Sequence, residues 1–197
     1  MTHEHTANHH QAEADERALF GFWIYLMTDL LMFAILFAVY AVLNNSTLGG
    51  ETAKDLFGLP LALKETLLLL TSSFTCGLGM IAARQMNKRM TIFWFGVTFL
   101  LGLTFLGLEM HEFTTLIHEG YTLKTNAFLS SFFVLVGTHG LHITAGLLWI
   151  ATTLGYIIKR GINSNMVRKL AMLSLFWHFL DIVWIFIFTI VYLKAYV

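Results

Sequence analysis

WHFLDIVW, from Trp177 to Trp184, is the stretch of sequence that decides the fold. It places His178 and Asp181 three residues apart inside a largely apolar run from Leu170 to Leu193. Residues three apart lie on one face of a helix, so the imidazole and the carboxylate point the same way. A charge at the centre of a transmembrane helix costs roughly 3 kcal/mol on insertion scales. We therefore expect this face to point into a helix bundle and to meet polar partners there.

The composition is typical of a membrane protein. The 197 residues are 57% hydrophobic and 12% charged, with a mean hydropathy of +0.70, whereas a soluble domain carries about 25% charged residues. Five long apolar runs predict an all-α, polytopic membrane protein built as a bundle of five transmembrane helices. The formal net charge of +0 argues against nucleic acid as a partner. The single cysteine, Cys76, excludes an internal disulfide and a cysteine metal cluster.

The apolar runs and the amino terminus define two parts of the chain. We expect a transmembrane domain over 19–197, with spans at about 19–43, 60–83, 91–113, 128–158 and 170–193. Residues 1–18 form a polar, histidine-rich tail, which we interpret as a disordered arm rather than a metal-binding segment. The tail has no apolar core or small-residue cleavage site, so we expect no cleavable signal peptide. The tail histidines are His3, His5, His9 and His10.

The distribution of lysine and arginine predicts the orientation in the membrane. Basic residues on the side of the amino terminus are Arg17, Arg84, Lys88, Arg89, Lys159, Arg160, Arg168 and Lys169. Those on the opposite side are Lys54, Lys64, Lys124 and Lys194. Cytoplasmic loops carry the excess of positive residues. We therefore expect a cytoplasmic amino terminus and an outer carboxyl terminus.

This orientation sorts the intramembrane polar residues into two groups by depth. The group near the midplane, which we expect to form a buried polar cluster, is Asp29, His139, His142, His178 and Asp181. The acids near the outer side, which we expect to be partly hydrated, are Glu65, Glu109 and Glu112. Because a lone ionised acid at mid-depth is costly, we predict that Asp29 contacts His139. His178 and Asp181 would form a second polar pair across from His142.

These residues bring several kinds of chemistry into question, beginning with metal and haem ligation. Two histidines on neighbouring helices can ligate a haem iron, but here carboxylates lie at the same depth. A copper site needs soft or clustered ligands at fixed geometry, and the only cysteine lies elsewhere. No nucleophile motif or phosphate-binding loop occurs, so we expect no catalytic, cofactor-binding or metal-binding residues in this chain. A small proton-coupled transporter is a second interpretation, although five spans cannot form two equal repeats.

Four motifs carry a resemblance to a known family. They are FGFWIYLMTDLLMF (20–33), GLEMHEF (107–113), GTHGLHITAG (137–146) and SLFWHFLDIVWIFIF (174–188). Together they resemble subunit III of the haem–copper respiratory oxidases across nearly the whole chain. The five-span form is similar to the quinol-oxidase branch, and the first span and tail are most similar to the cytochrome bo-type ubiquinol oxidases. The stretch LLLTSSFTCG (68–77) is also similar to the bacterial menaquinol oxidases.

The resemblance implies an accessory, cofactor-free subunit of a proton-pumping quinol:oxygen oxidoreductase in the bacterial inner membrane. Haem and copper are then expected in subunit I, and the partners are subunits I and II, a small subunit IV and phospholipid held in a cleft. The implied role is to support assembly, sustained proton uptake and stability of subunit I. The buried acid that the family carries in its first matched span corresponds to Asp29, and the acid that ends its third matched span corresponds to Glu112.

Overall fold

The computed structural model describes residues 2–43, 59–121 and 127–196. Its five long helices are α1 (Thr2–Leu43), α2 (Leu59–Arg84), α3 (Lys88–His118), α4 (Ala127–Arg160) and α5 (Ser164–Ile187). After α5 the chain continues through a π-helix (Phe188–Tyr192) and a 3₁₀ helix (Leu193–Tyr196). All five long helices contain a segment that is long and apolar enough to cross a membrane. The predicted all-α bundle of five transmembrane helices is confirmed.

Short connections set neighbouring helices antiparallel. Asn87 begins α3 by accepting a hydrogen bond from the Met90 N–H, and Asn163 begins α5 by accepting one from the Met166 N–H. Asn is among the residues that best satisfy the free N–H groups of a helix start. Gly161, with a φ of +81°, ends α4 in a conformation that favours glycine. The loops at 44–58 and 122–126, which contain Lys54 and Lys124, lie outside the described residues.

The amino-terminal segment differs from expectation. The predicted disordered arm over residues 1–18 is wrong for the backbone, because α1 is one continuous helix from Thr2 to Leu43. The segment contains four Ala and three Glu, which are strong helix formers. Nucleation is the costly step in helix formation. An adjoining membrane helix removes that cost, so the polar segment continues it.

Each of the five long helices packs on at least two others. The α2 helix packs mainly on α3 and α5, the α3 and α5 helices both pack on α4, and α1 lies against α4 and, less extensively, α5. Trp177 and Trp184 of α5 are fully buried. The α1 helix is peripheral, and its large exposed side chains include Phe20, Leu31 and Ile35. Its outward face is therefore available to lipid or to another chain.

Candidate functional site

The centre of the bundle is built around the indole ring of Trp177. Its Nε1–H donates to the Ser72 hydroxyl of α2 at 2.9 Å. A Cβ atom added at Gly102 of α3 would lie 2.8 Å from the ring, and one at Gly146 of α4 would lie 3.0 Å from it. Four helices therefore meet at this ring, which fits only because two of them carry glycine there. We call Trp177, Ser72, Gly102 and Gly146 the tryptophan node.

A face of α2 that carries hydroxyl groups continues the contact with α5. The Trp184 Nε1–H donates to the Thr66 hydroxyl at 3.1 Å. The Ser73 hydroxyl and His178 Nδ1 are 2.6 Å apart, and Asp181 is electrostatically close to both residues. His178 and Asp181 therefore find their polar neighbour on α2, whereas the sequence analysis placed them across from His142.

Asp29 of α1 pairs with His142 of α4. The Asp29 Oδ2 atom lies 3.7 Å from His142 Nε2, and the Tyr25 hydroxyl also approaches this carboxyl. His142 Nδ1 lies 2.8 Å from the Thr138 carbonyl. A carbonyl oxygen only accepts, so Nδ1 carries a proton and Nε2 is the nitrogen presented to the acid.

The predicted contact of Asp29 with His139 is wrong. His139 is fully buried, and neither of its ring nitrogens has a hydrogen-bond partner among the described residues. Its ring lies 5.3 Å from Trp184 and 6.1 Å from Phe105, measured between centroids. Three residues turn a helix through about 300°. The two side chains therefore leave α4 about 60° apart around the helix axis. Of the two, only His142 lies beside Asp29.

The acids that were expected to be partly hydrated are buried instead. Glu65, Glu109 and Glu112 are 0%, 2% and 8% exposed. The Tyr192 hydroxyl donates to Glu112 Oε2 at 3.1 Å, and the three carboxyls interact electrostatically with one another and with Tyr192. They are buried because α2, α3 and the end of α5 converge at this level. We call Glu65, Glu109, Glu112 and Tyr192 the carboxyl cluster.

The π-helix accounts for the position of Tyr192. Each π-turn holds one more residue than an α-turn, so it rotates the residues that follow it around the helix axis. The turn covers Phe188–Tyr192. It ends on the residue whose hydroxyl reaches Glu112. Nothing in the sequence distinguishes this turn from a regular helix, and Tyr192 was not among the predicted site residues.

An apolar groove of about 460 Å³ runs between α1 and α5. Trp23, Leu26, Phe33, Phe179 and Phe186 are among the side chains that line it. Among the described residues that line the groove, His178 is the one that is ionisable. Such a groove suits a hydrocarbon chain.

The hydroxyl-bearing face of α2 was also absent from the sequence analysis. Thr66, Ser73 and Cys76 are spaced by seven and three residues, which is the spacing of one helix face. Cys76 Sγ completes this face with a 3.6 Å contact to the Ser174 hydroxyl of α5. The signal was therefore present as small polar residues at helical spacing.

The surroundings of the histidines do not resemble a haem site. The space around His139 is filled by the rings of Phe33, Phe105 and Trp184. The Nε2 atom of His142 faces the Asp29 carboxyl at 3.7 Å. Within the described ranges, no group of three or more His, Cys, Asp and Glu residues is arranged to hold a metal ion.

Comparison with known proteins gives a match along nearly the whole chain. The profile of the family described as "Cytochrome c oxidase subunit III" matches residues 1–196. The chain is 52% identical over 193 residues to "Cytochrome bo(3) ubiquinol oxidase subunit 3" of Pseudomonas aeruginosa, covering 98% of this chain and 91% of that protein. It is 46% identical to "Quinol oxidase subunit 3" of Bacillus subtilis, covering 94% and 91%. It is also 46% identical to "Cytochrome c oxidase subunit 3" of Bacillus sp. PS3, covering 89% and 84%.

Proposed function

The chain belongs to the cytochrome c oxidase subunit III family and is therefore the third subunit of a haem–copper oxidase. We propose that this oxidase is a complex that oxidises ubiquinol. The full-length match to a subunit named for ubiquinol is the observation that carries this proposal. The relatives named for quinol and for cytochrome c are only slightly less similar. Menaquinol and cytochrome c are therefore the alternative electron donors. The transporter interpretation is not favoured.

We propose an accessory role without a catalytic residue, haem, copper or bound quinol in this chain. The geometry supports it, because the polar side chains at the tryptophan node and along α2 bond to one another rather than lining an open reaction site. Haem and copper then belong to subunit I. We expect subunits I and II and a small subunit IV as partners, and no nucleic acid.

A deletion experiment tests the accessory role. The oxidase is purified with and without this chain, and oxygen consumption with ubiquinol is followed over many turnovers. We expect the initial rate to persist in a haem-replete core lacking the chain, while activity decays faster or assembly falls. Re-expression of the wild-type chain is the control and should restore endurance. Complete loss of turnover in a fully assembled core would contradict the proposal.

The same preparations identify the electron donor of the complex. Ubiquinol, menaquinol and reduced cytochrome c are compared at equal enzyme concentration. We expect ubiquinol to be oxidised fastest. Faster oxidation of either alternative would assign the complex to another branch of the family without affecting the accessory role.

We propose that the groove between α1 and α5 holds a phospholipid acyl chain. Its apolar lining suits hydrocarbon in the membrane interior. Leu30 lines the groove, so Leu30→Trp should fill it and lower the phospholipid that copurifies, as measured by mass spectrometry. Leu100→Trp, on an exposed face of α3, is the matched control and should leave the lipid unchanged. Equal lipid content in all three preparations would contradict the assignment.

We also propose that the amino terminus is cytoplasmic, from the bias of lysine and arginine. In a Cys76→Ser background, single cysteines replace Gln85 after α2 or Glu119 after α3, both of which are exposed. An impermeant thiol reagent outside the cell membrane should label only position 119. Labelling at position 85 instead would reverse the orientation.

A further inference from the structure

The carboxyl cluster gathers three acids in the protein interior without a countercharge. Glu65 comes from α2, and Glu109 and Glu112 from α3. Each is more than nine-tenths buried. Across the part of the chain that the structure describes, no lysine, arginine or histidine forms an ion pair with any of the three. The cluster therefore stands apart from Asp29, which has His142 beside it.

Electrostatics limits how many of these carboxyls can be ionised together. An ionised carboxylate loses its hydration on burial, and neighbouring like charges add repulsion. Two carboxyls that share a buried site generally retain a proton between them for this reason. With three acids and no paired cation among the described residues, we expect at most one of them to be ionised and at least two to be neutral.

The hydrogen bonds among the described residues leave four carboxyl oxygens of the cluster unmatched. Neither oxygen of Glu65 and neither oxygen of Glu109 has a partner among the described residues. A neutral carboxyl has an O–H group that must donate and a carbonyl oxygen that accepts. Buried polar groups of this kind are commonly satisfied by enclosed water. Water is therefore the ligand that matches these oxygens.

Glycine makes the room for Glu109. A Cβ atom at Gly140 of α4 would lie 3.1 Å from Glu109 Oε1 and 3.2 Å from Oε2. The carboxyl thus rests against the backbone of α4, close to Gly140. The arrangement admits this side chain without giving it a polar partner.

We propose that the carboxyl cluster is a proton-holding site, in which at least two neutral carboxyls and Tyr192 are joined by buried water and exchange protons with solvent. Glu65 and Glu112 each lie six residues from an end of their helices, or about 9 Å at 1.5 Å per residue. That distance is short enough for a few water molecules to connect the cluster to the surface. The site requires no redox centre and no particular electron donor.

Infrared difference spectroscopy of the purified complex tests the proposal. A neutral carboxyl has a C=O stretching band that a carboxylate lacks, and the band shifts when H₂O is replaced by D₂O. We expect such a band to lose intensity in at least two of the variants Glu65→Gln, Glu109→Gln and Glu112→Gln. The exposed Glu119→Gln is the control and should leave the band unchanged.

Two results would overturn the proposal. If the band is unchanged in all three glutamine variants, the acids are ionised. If the band is present but does not shift in D₂O, the protons do not exchange and the site is not hydrated. Neither result depends on turnover, so failure here is distinguishable from failure of the accessory role.

A second set of variants retains all three carboxyl groups of the cluster and changes only their surroundings. Gly140→Ala should displace the Glu109 carboxyl and move its band, because the new methyl group would lie 3.1 Å from that carboxyl. Gly137→Ala, three residues earlier, is the matched control, since its Cβ would meet only Phe113 at 3.8 Å. Tyr192→Phe should move the Glu112 band to higher frequency without removing it. Spectra that are identical in Gly140→Ala and wild type would contradict the placement of a neutral Glu109.

Discussion

The tryptophan node and the carboxyl cluster are packed in the same way but differ in whether the buried polar atoms are paired. In both, glycine on a neighbouring helix admits a large side chain: Gly102 and Gly146 admit Trp177, and Gly140 admits Glu109. The single polar atom of Trp177 is paired at once with Ser72. The oxygens of Glu109 are left without a partner in the described residues. The comparison shows that close packing alone does not reveal whether a buried polar group fixes the fold or binds something further.

The two regions should therefore respond differently to substitution. A buried group whose hydrogen bonds are complete holds helices in one relative position, so its removal lowers stability. A group that already relies on water can exchange that partner at small cost. We expect the free energy of unfolding to be sensitive at the node and comparatively insensitive at the cluster.

Trp177→Ala should give the largest loss of stability. It removes a fully buried ring and leaves a cavity between four helices, at a cost of roughly 3–5 kcal/mol. The Ser72 hydroxyl also loses its N–H donor and keeps only the 3.5 Å contact to the Thr98 carbonyl. Denaturant unfolding of the purified subunit in detergent measures it. Trp23→Ala is the control, because Trp23 is 47% exposed and should cost far less. Equal losses would show that the node is not central.

Gly102→Ala should give the next largest effect. The new methyl group would lie 2.8 Å from the Trp177 ring, and overpacking of this kind costs about 1–3 kcal/mol. Gly107→Ala in the same helix is the control, since no heavy atom lies within 4 Å of its Cβ position. Alanine favours a helix by about 1 kcal/mol over glycine, so this control should be neutral or stabilising. A stabilising Gly102→Ala would contradict the conclusion that glycine is needed at position 102 to admit the Trp177 ring.

Disrupting the pair of Asp29 and His142 should cost less stability than the substitutions at the tryptophan node and more than the substitution at the carboxyl cluster. Asp29→Leu strands the imidazole of His142, which is partly exposed, and should cost about 1 kcal/mol. A double-mutant cycle with His142→Leu should show coupling, whereas one with His139→Leu should be additive. Asp29→Asn should be tolerated, because an amide retains hydrogen-bonding capacity. Coupling to His139 instead would restore the pairing predicted from the sequence.

Tyr192→Phe should have the smallest effect. It removes one hydrogen bond to Glu112, and water in the cluster can replace the lost donor, so the cost should be below about 1 kcal/mol. The same unfolding measurement applies. A loss larger than that of Gly102→Ala would mean that the cluster is structural and would remove the distinction drawn above.

The architecture was predictable because hydrophobic runs and small loops carry their information locally. The burial of Asp29, His139 and Asp181 also followed from the cost of exposing polar groups to lipid. The pairing of Asp29 with His142 could not be predicted. The sequence indicates how deep a residue lies along a helix, but not how the helix is rotated about its axis. His139 and His142 differ by three residues, and that rotation decides which of them meets Asp29.

The carboxyl cluster was misjudged for a related reason. Glu65, Glu109 and Glu112 fall near helix ends, and position along the helix alone suggested hydration. Their burial depends on how α2, α3 and the end of α5 converge, and on glycine at position 140. Both are properties of the assembled bundle. Tyr192 was overlooked because its position depends on a backbone irregularity.

The π-helix at Phe188–Tyr192 makes the length of this segment more important than its composition. Side chains there can be exchanged for others of similar size without changing the course of the backbone. If the same residues closed into a regular α-helix instead, every later residue would rotate by about 100°. The Tyr192 hydroxyl would then point away from Glu112, although its side chain was untouched. The extra residue is tolerated because the π-turn absorbs it, and a regular α-helix of the same length would remove a functional group as surely as a substitution at Tyr192.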